Sequence, residues 1–184
     1  MGVLRITGGA FRGRKILVSE GSLEIRPPMD RMRESIFSIL GDIEGATVLD
    51  IFSGSGIFSF EALSRGAVSA LCVEKDKHKI HSLRKNADLL GVKIQCWAMP
   101  AEYYIKRANS DFDLVFCDPP FPYRFKNELL LAIAEKHLVR SMGRLVFHYP
   151  QEDRLDETLG DLRLLDSRKY GRSCVSIYQA DKIS

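Results

Sequence analysis

The sequence predicts an α/β fold: a doubly wound, mostly parallel sheet with an antiparallel hairpin at its C-terminal edge. Three observations lead to this prediction. Strand-like and helical patterns alternate from Thr47 onward. Several strand runs are apolar almost throughout, as expected for parallel strands covered on both faces. The final segments form two further strand-like runs around Gly171, which suits a closing antiparallel hairpin.

Each element follows from the periodicity of its residues. The strands of the parallel sheet are predicted at residues 47–52, 70–74, 94–97, 113–117 and 144–148. Helical patterns cover residues 76–90, where Gly91 ends the helix, and residues 125–138. A shorter helix is predicted from about Arg31 to Leu40, with Asp30 as its N-cap after two prolines that block an earlier start.

The first 25 residues have a pattern of their own. Two short strand candidates, residues 4–7 and 15–18, flank a glycine-rich turn and predict a small β-hairpin. We therefore divide the chain into an N-terminal extension, residues 1–25, and a main domain, residues 26–184.

Composition excludes several classes of protein. A chain of 184 residues with 45% hydrophobic residues suits one domain with a small appendage. No apolar run approaches the roughly 20 residues that span a bilayer, and no signal peptide is evident, so we expect a cytoplasmic protein without membrane contact. Nothing indicates an oligomer, so a monomer is expected. The cysteines are widely separated and are expected to be buried thiols in strands; they are Cys72, Cys96, Cys117 and Cys174. The histidines lack ligand spacing, and no metal site is expected.

The net charge of +3 is unevenly distributed. Residues 1–33 contain seven basic and three acidic side chains, a formal charge of +4, so the remaining residues sum to −1. Concentration of charge at one end of a nearly neutral chain favours an edge that contacts phosphates. The candidate residues are Arg5, Arg12, Arg14, Lys15, Arg26 and Arg31.

A glycine turn follows the first predicted strand of the sheet, in the segment Asp50-Ile51-Phe52-Ser53-Gly54-Ser55-Gly56. Glycines there let the backbone approach a ligand closely, and Glu74, at the end of the next strand, can accept hydrogen bonds from both hydroxyls of a ribose. The pattern indicates a nucleoside-containing cofactor. A dinucleotide site would place a third glycine where Ser59 stands, and Asp50 suits a cationic ligand better than a pyrophosphate. Both details favour S-adenosylmethionine over NAD.

The fourth strand ends in Asp118-Pro119-Pro120-Phe121. At the carboxyl edge of an open α/β sheet, a rigid Pro-Pro turn fixes backbone carbonyls beside the ligand crevice. The amino group of a base can donate one hydrogen to the Asp118 carboxylate and one to the Pro119 carbonyl, which turns the nitrogen lone pair outward. Phe121 offers a face on which the base can stack. This motif predicts methylation of an exocyclic amino group.

These motifs resemble class I amino-methyltransferases with a Rossmann-like fold, and more narrowly the RsmD family, which methylates guanine N2 in bacterial 16S ribosomal RNA. The resemblance covers nearly the whole chain. Its most specific part is the N-terminal pair of motifs, Arg5-Ile6-Thr7-Gly8-Gly9 with Arg12-Gly13-Arg14-Lys15, and Arg26-Pro27 with Asp30-Arg31-Met32-Arg33-Glu34. The match also includes Glu61-Ala62-Leu63-Ser64-Arg65-Gly66-Ala67.

The resemblance implies a function for each group of residues. The cofactor residues would be Asp50, Phe52, Gly54, Gly56, Glu74 and Ala98. Asp118, Pro119, Pro120 and Phe121 would handle the target base. The N-terminal extension would contact 16S RNA, free or within the 30S subunit, with guanine 966 as the implied target. One departure concerns adenine: such enzymes commonly place Asp or Asn where this chain has Trp97, so the contact is expected from the backbone near Ala98.

Other functions remain open at the level of sequence. A DNA adenine-N6 or cytosine-N4 methyltransferase has nearly the same local chemistry, although 184 residues leave little room for a recognition domain. A non-catalytic RNA-binding protein would retain the fold without turnover. Methylation of a protein glutamine is chemically related, but the basic N-terminus favours nucleic acid.

Overall fold

The alternation that begins at Thr47 builds one eight-stranded sheet, which we describe from a computed structural model covering residues 2–18 and 28–182. The strands are β1 (Gly2–Arg5), β2 (Lys15–Val18), β3 (Thr47–Ile51), β4 (Ser69–Glu74), β5 (Gln95–Ala98), β6 (Phe112–Cys117), β7 (Val139–Pro150), β8 (Thr158–Leu159), β9 (Leu162–Tyr170) and β10 (Ser173–Ala180). The helices are α1 (Pro28–Leu40), α2 (Ile57–Ser64), α3 (Lys77–Leu90), α4 (Ala101–Arg107) and α5 (Lys126–Glu135).

The main sheet has the order β5-β4-β3-β6-β7-β10-β9-β8. Pairs from β5 to β7 are parallel, whereas β10 pairs antiparallel with both β7 and β9. Alternating residues of the central strands face two separate apolar cores. One contains residues of α1, α2 and α3, and the other contains residues of α4 and α5. The predicted doubly wound sheet with an antiparallel C-terminal edge is therefore confirmed.

Helix α1 begins earlier than the sequence predicted. It starts at Pro28, so Asp30 lies inside the first turn instead of capping the helix, and its carboxylate pairs with Arg33 at 2.5 Å. The reason is that proline has the fixed φ of a helical first turn and needs no hydrogen-bonded N–H there. The apolar side of α1, including Met32 and Ile36, is buried as expected.

Other boundaries differ for local reasons. Helix α5 ends at Glu135 instead of residue 138, because His137 adopts a left-handed backbone with φ of 49°. Strand β7 starts five residues earlier than predicted, with an irregular register between Phe112 and Leu114 on its neighbour. The four cysteines are free and lie in strands, but only Cys72 and Cys117 are buried; Cys96 and Cys174 are half-buried, which corrects that prediction.

The predicted N-terminal hairpin exists and packs onto the main domain. Strands β1 and β2 pair antiparallel, with Arg5 opposite Lys15, and Ile6 and Ile16 are fully buried in the core shared with α1 and α2. Asn86 of α3 holds the outer edge of β2: its side chain accepts from the Leu17 N–H and donates to the Leu17 carbonyl, both at 2.9 Å. The boundary predicted after residue 25 lies outside the described residues.

A buried carboxylate fastens the hairpin to α2. Glu61, fully buried, accepts hydrogen bonds from the backbone N–H groups of Thr7 and Gly8 and lies 3.8 Å from the buried guanidinium of Arg33. Gly9, with φ of +74°, passes so close that an added Cβ would lie 1.8 Å from the Ser64 carbonyl oxygen. The Thr-Gly-Gly segment therefore requires glycine at this crossing because the two backbones touch. We call this contact between residues 7–9 and α2 the clasp.

Candidate active site

The carboxyl ends of the parallel strands surround a cavity of about 470 Å³. Asp50 lies on β3, Glu74 ends β4, and Asp118 follows β6; all three line the cavity. In a doubly wound sheet the strand order reverses near the centre, and this topological switch point leaves a crevice at the carboxyl edge of the strands. Such folds bind ligands in that crevice. The structure thus brings together three carboxylates that are widely separated in sequence.

Asp50 is almost completely buried. Its Oδ2 accepts a 2.8 Å hydrogen bond from the hydroxyl of Ser59, whereas its buried Oδ1 has no hydrogen-bond partner among the described residues. Burial, together with the smaller effects of the nearby negative charges of Asp118 and Glu74, raises the pKa of Asp50 to about 7 despite the Ser59 hydrogen bond. The site therefore contains a buried acid that forms no ion pair with any residue the structure describes.

Ser59 was overlooked as a site residue. The sequence indicates it only as the absence of a third glycine, but from the first turn of α2 its hydroxyl donates a hydrogen bond to the carboxylate of Asp50. A polar residue inside an otherwise apolar helix start was the available signal.

Glu74 is fixed by two backbone donors. The Gly54 N–H donates to its Oε2 at 3.0 Å and the Asp76 N–H donates to its Oε1 at 2.9 Å. Asp76 in turn caps α3 by accepting from the His78 N–H. Each carboxylate oxygen of Glu74 retains a second lone pair for a ligand. The glycine turn and the strand-end acid are therefore connected directly, over a separation of 20 residues.

The two predicted glycines have different environments. Gly54 lines the cavity, and its left-handed backbone leaves open space where a Cβ would be. Gly56 is buried at the N-cap of α2 and does not line the cavity; an added Cβ would lie 2.9 Å from Phe60 and 3.1 Å from Leu83. Gly56 thus serves the close packing of α2 on α3.

Phe52 lines the cavity with a left-handed backbone, φ of 62°. For a residue with a bulky side chain this conformation costs about 1–3 kcal/mol. Its ring contacts Tyr123 edge-on, with centroids 5.6 Å apart. The strained backbone places the Phe52 ring at the cavity, and Tyr123, in the loop after β6, packs against that ring.

Ala98 is exposed and lies outside the cavity lining, whereas the next residues, Met99, Pro100 and Ala101, form part of its wall. The sequence predicted a backbone contact to adenine near Ala98; in the structure the part of the chain near Ala98 that lines the cavity is the turn between β5 and α4. Trp97 is half-exposed, at 48%.

The Asp118-Pro119-Pro120-Phe121 turn sits at the mouth of the cavity. Asp118 and Pro120 line the cavity, while Pro119 is buried behind it. Nδ1 of His148, at the end of β7, lies 2.7 Å from Oδ1 of Asp118. The ring of Phe121 contacts the His148 ring edge-on, with centroids 5.3 Å apart. His148 therefore touches two members of the motif.

Sequence reasoning missed His148 and also Lys126. His148 has no neighbour with metal-ligand spacing in the sequence, and the one signal that points to it is its place as a polar residue at the end of an apolar strand. Lys126, buried at the start of α5, donates from Nζ to the carbonyls of Phe121 and Tyr123 and pairs with Asp153 at 2.6 Å. It holds the loop that follows Phe121.

The predicted phosphate-contacting residues that the structure describes do not line the cavity, although Leu4, next to Arg5, does. Arg5, Arg12, Arg14, Lys15 and Arg31 are exposed, and Arg26 lies outside the described residues. Arg33, which contributed to the N-terminal charge count, is buried and cannot contribute to a surface.

A second groove, of about 640 Å³, runs between α4 and α5 on the opposite helix layer. It shares Glu102 and Tyr123 with the cavity but contains neither Asp50 nor Asp118. Within residues 2–18 and 28–182, no cluster of three or more potential metal ligands is present. In the same part of the chain, no helix combines the length and hydropathy needed to cross a membrane.

Comparison with known proteins places this arrangement in a family. A family model described as "Conserved hypothetical protein 95" matches residues 4–179. The chain is 32% identical over 182 residues to "Putative rRNA methyltransferase YlbH" of Bacillus subtilis, covering 96% of this chain and 98% of that protein. It is also 32% identical over 190 residues to "Ribosomal RNA small subunit methyltransferase D" of Haemophilus influenzae, covering 97% and 94%.

The chain belongs to the RsmD family. Solved structures of similar proteins agree with this assignment. "Putative methyltransferase yhhF from Escherichia coli" superposes with a TM-score of 0.87 at 28% identity, covering 99% of this chain and all of that one. The methylase HI0767 from Haemophilus influenzae, named putative, superposes with a TM-score of 0.84 at 28% identity, covering 98% and 100%. The RsmD assignment also confirms the Rossmann-like methyltransferase fold predicted from the motifs.

Proposed function

We propose that this protein transfers the methyl group of S-adenosylmethionine to the exocyclic N2 of a guanine in small-subunit 16S ribosomal RNA, with guanine 966 as the target implied by the family. The observation that carries the proposal is the meeting of Asp50, Glu74 and Asp118 around one cavity, beside a Pro-Pro turn. The relatives named as ribosomal RNA methyltransferases support the same reaction class.

The residues of the cavity fit S-adenosylmethionine. The buried Oδ1 of Asp50 has no hydrogen-bond partner within the described residues, and a cationic ligand would supply one. Glu74 has lone pairs left for the two hydroxyls of a ribose, and the turn at Met99 and Pro100 provides an apolar wall. When bound, this cofactor supplies an electrophilic methyl group on a sulfonium centre.

Asp118 and Pro119 would orient the guanine amino group. That nitrogen is a poor nucleophile because its lone pair is delocalised into the ring. Accepting one hydrogen at the Asp118 carboxylate and one at the Pro119 carbonyl would favour a pyramidal nitrogen. The nitrogen becomes positive as it gains the methyl group and must then release a proton, so an adjacent anion stabilises the transition state more than the ground state. Phe121 would stack on the extruded base.

The N-terminal extension, residues 1–25, would contact the RNA backbone through its exposed cations. Because the clasp and Asn86 hold the hairpin on α2 and α3, these cations have fixed positions relative to the cavity. A preorganised surface loses less conformational entropy on binding than a flexible arm does. The partner would be 16S RNA, free or assembled in the 30S subunit.

The decisive experiment supplies labelled S-adenosylmethionine with naked 16S RNA, 30S particles and DNA in parallel. Mass spectrometry then identifies the methylated nucleoside. We expect N2-methylguanosine from ribosomal RNA or its particle. N6-methyladenine or N4-methylcytosine in the DNA sample would refute the proposal. Binding of RNA with no methylated nucleoside in any of the three samples would refute it as well.

A further inference from the structure

The hairpin tip, which we define as residues 9–14, lies far from the cavity. The Ala10 N–H donates to the carbonyl of Ser64, the last residue of α2, and the Arg14 guanidinium donates to the carbonyl of Leu89, near the end of α3. The cavity lies at the opposite ends of these helices, where Ile57 and Lys79 line it. From Lys79 to Leu89 the axis of α3 rises about 15 Å. An RNA that reaches both places passes over the strands of the hairpin, whose Leu4 and Val18 also line the cavity, or over the helix layer beside them, where α3 packs against β2.

Helices α2 and α3 differ in what they present along that path. Seven of the eight residues of α2 are buried, so it contributes no charged outer surface. Helix α3 buries Ile80, Leu83 and Asn86 but exposes a row of polar side chains on its outer side. We call this row the α3 basic face; its exposed members are Lys77, His78, His81, Arg84 and Lys85.

The α3 basic face is nearly of one sign. Asp88 is the one exposed acidic residue of the helix, against the cations Lys77, Arg84 and Lys85. A surface charged only for solubility normally mixes the two signs. The groove on the opposite layer does mix them, with Glu102, Glu128 and Glu135 beside two lysines.

The α3 basic face is continuous with positive charge at both ends. Lys75 and Lys79 line the cavity at the start of the helix. At the other end, Arg14 contacts the Leu89 carbonyl, which joins the hairpin tip to the helix. Cations therefore extend from the mouth of the cavity along α3 to the tip.

We infer that the α3 basic face binds the phosphate backbone of the RNA between the hairpin tip and the cavity. This inference rests on the proposed function and extends it by naming a second contact surface. Phosphate contacts of this kind set the position of the nucleic acid and do not read its sequence. The face would thus position the target guanine at Asp118 and would leave cofactor binding unaffected.

The test compares three variants of equal charge change with the wild-type protein. The first, K77Q/R84Q/K85Q, neutralises the α3 basic face. The second, R12Q/R14Q/K15Q, neutralises the hairpin. The control, K106Q/R107Q/K136Q, removes three exposed cations from α4 and the end of α5, on the other layer. Binding to 16S RNA and to unmethylated 30S particles is measured at several salt concentrations, with single-turnover methylation, S-adenosylmethionine affinity and thermal unfolding measured alongside.

We expect the α3 variant to bind RNA at least about tenfold more weakly at low salt, and its logarithmic salt slope to fall by about 2, because each lost phosphate contact lowers the slope by roughly 0.7–0.9. Its cofactor affinity and unfolding temperature should match the wild type, as should all properties of the control. If the α3 variant and the control lose RNA affinity equally, the inference is overturned, because the change in net charge alone would then explain the weaker binding.

The remaining outcomes separate the inference from the proposed function. If the wild type methylates ribosomal RNA and the α3 variant binds and reacts like it, the α3 basic face is not a contact surface and the proposed function stands. If the wild type methylates no ribosomal RNA, the proposed function itself fails, and the inference fails with it.

Discussion

His148 and Asp118 are hydrogen-bonded through Nδ1 and Oδ1 at 2.7 Å, across neighbouring parallel strands. An ionised carboxylate can only accept, so Nδ1 carries the hydrogen in this contact whenever Asp118 is charged. His148 is almost fully buried and also touches the ring of Phe121. The histidine therefore fixes the direction of the carboxylate that we expect to orient the amino group.

The first prediction concerns this positioning. His148→Asn keeps a donor near the place of Nδ1, whereas His148→Gln places its donor near Nε2 and His148→Leu has none. Small misplacements at a reacting centre cost up to about 10²-fold in rate. We expect single-turnover methylation to fall about 10–100-fold in the Gln and Leu variants and to be largely retained in the Asn variant. S-adenosylmethionine affinity should be unchanged in all three. Equal losses in the three variants would indicate a packing role only.

Asp118→Asn tests the charge of the carboxylate itself. The substitution keeps the shape and one acceptor oxygen but removes the anion that stabilises the developing positive nitrogen. We expect a loss of about 10²–10³ in the single-turnover rate, the range for deleting one preorganised electrostatic partner. Saturating RNA and cofactor separate the chemical step from binding. A wild-type rate in the variant would show that the charge is not catalytic.

Glu74→Ala tests the predicted ribose contact. Loss of a buried, charge-assisted acceptor should weaken S-adenosylmethionine binding by roughly 1–3 kcal/mol, as measured by calorimetry. Glu74→Gln is the matched control, because it retains one acceptor oxygen for the Gly54 or Asp76 N–H and should lose less. Unchanged affinity in a folded Ala variant would remove Glu74 from the site.

The raised pKa of Asp50 predicts that Asp50→Asn has opposite effects on protein stability and on S-adenosylmethionine binding. Its pKa in the folded protein is about 7, above the ordinary value of 3.8, chiefly because of burial. Its favourable contribution is thus complete below about pH 4 and is lost as the pH rises through 7. Asp50→Asn should change stability little at about pH 4 and raise it by up to about 4 kcal/mol at pH 8, because the pKa rises from 3.8 to about 7 and each pH unit corresponds to roughly 1.4 kcal/mol. The same variant should bind S-adenosylmethionine more weakly at pH 8.

Thermal unfolding of the Asp50→Asn variant without ligand, at both pH values, checks the first effect, and calorimetry checks the second. A variant that is less stable than the wild type at pH 8 would contradict the raised pKa. A variant that binds the cofactor as tightly as the wild type would remove the carboxylate from the cofactor site.

The clasp gives a prediction about stability alone. Glu61→Ala would leave the buried guanidinium of Arg33 with Asp30 as its remaining carboxylate partner. It would also remove the acceptor of the Thr7 and Gly8 N–H groups, and we expect a loss of about 3–5 kcal/mol for breaking a buried charge network. The double variant Glu61→Ala/Arg33→Met removes both charges and should recover part of that loss. Urea unfolding measures both. A Glu61→Ala protein as stable as the wild type would show that the clasp contributes nothing.

The sequence predicted those parts of the site that depend on position along one strand. Asp50, Glu74 and Asp118 each stand at the end of an apolar run, and parallel pairing brings such ends to one edge. Ser59, Lys126 and His148 were missed because their importance depends on contacts made in three dimensions. His148 lies 30 residues from Asp118, and no local pattern specifies that contact.

The same distinction applies to the fold. The order of strands and helices followed from periodicity, and the hairpin followed from its turn residues. The short elements α4 and β8 were missed because seven and two residues are too few to show a period. The sequence contains the family motifs at residues 7–9 and 61–65, but only the structure shows that Glu61 connects them by hydrogen bonds.

The clasp also has a consequence for the order of events during synthesis. The hairpin is synthesised before its partners, since Thr7 bonds to Glu61 and Leu17 to Asn86, which follow 54 and 69 residues later. An isolated two-stranded hairpin is at best marginally stable in water. The hairpin can therefore dock only after α3 has been synthesised, and until then its strands lack the partners that stabilise them.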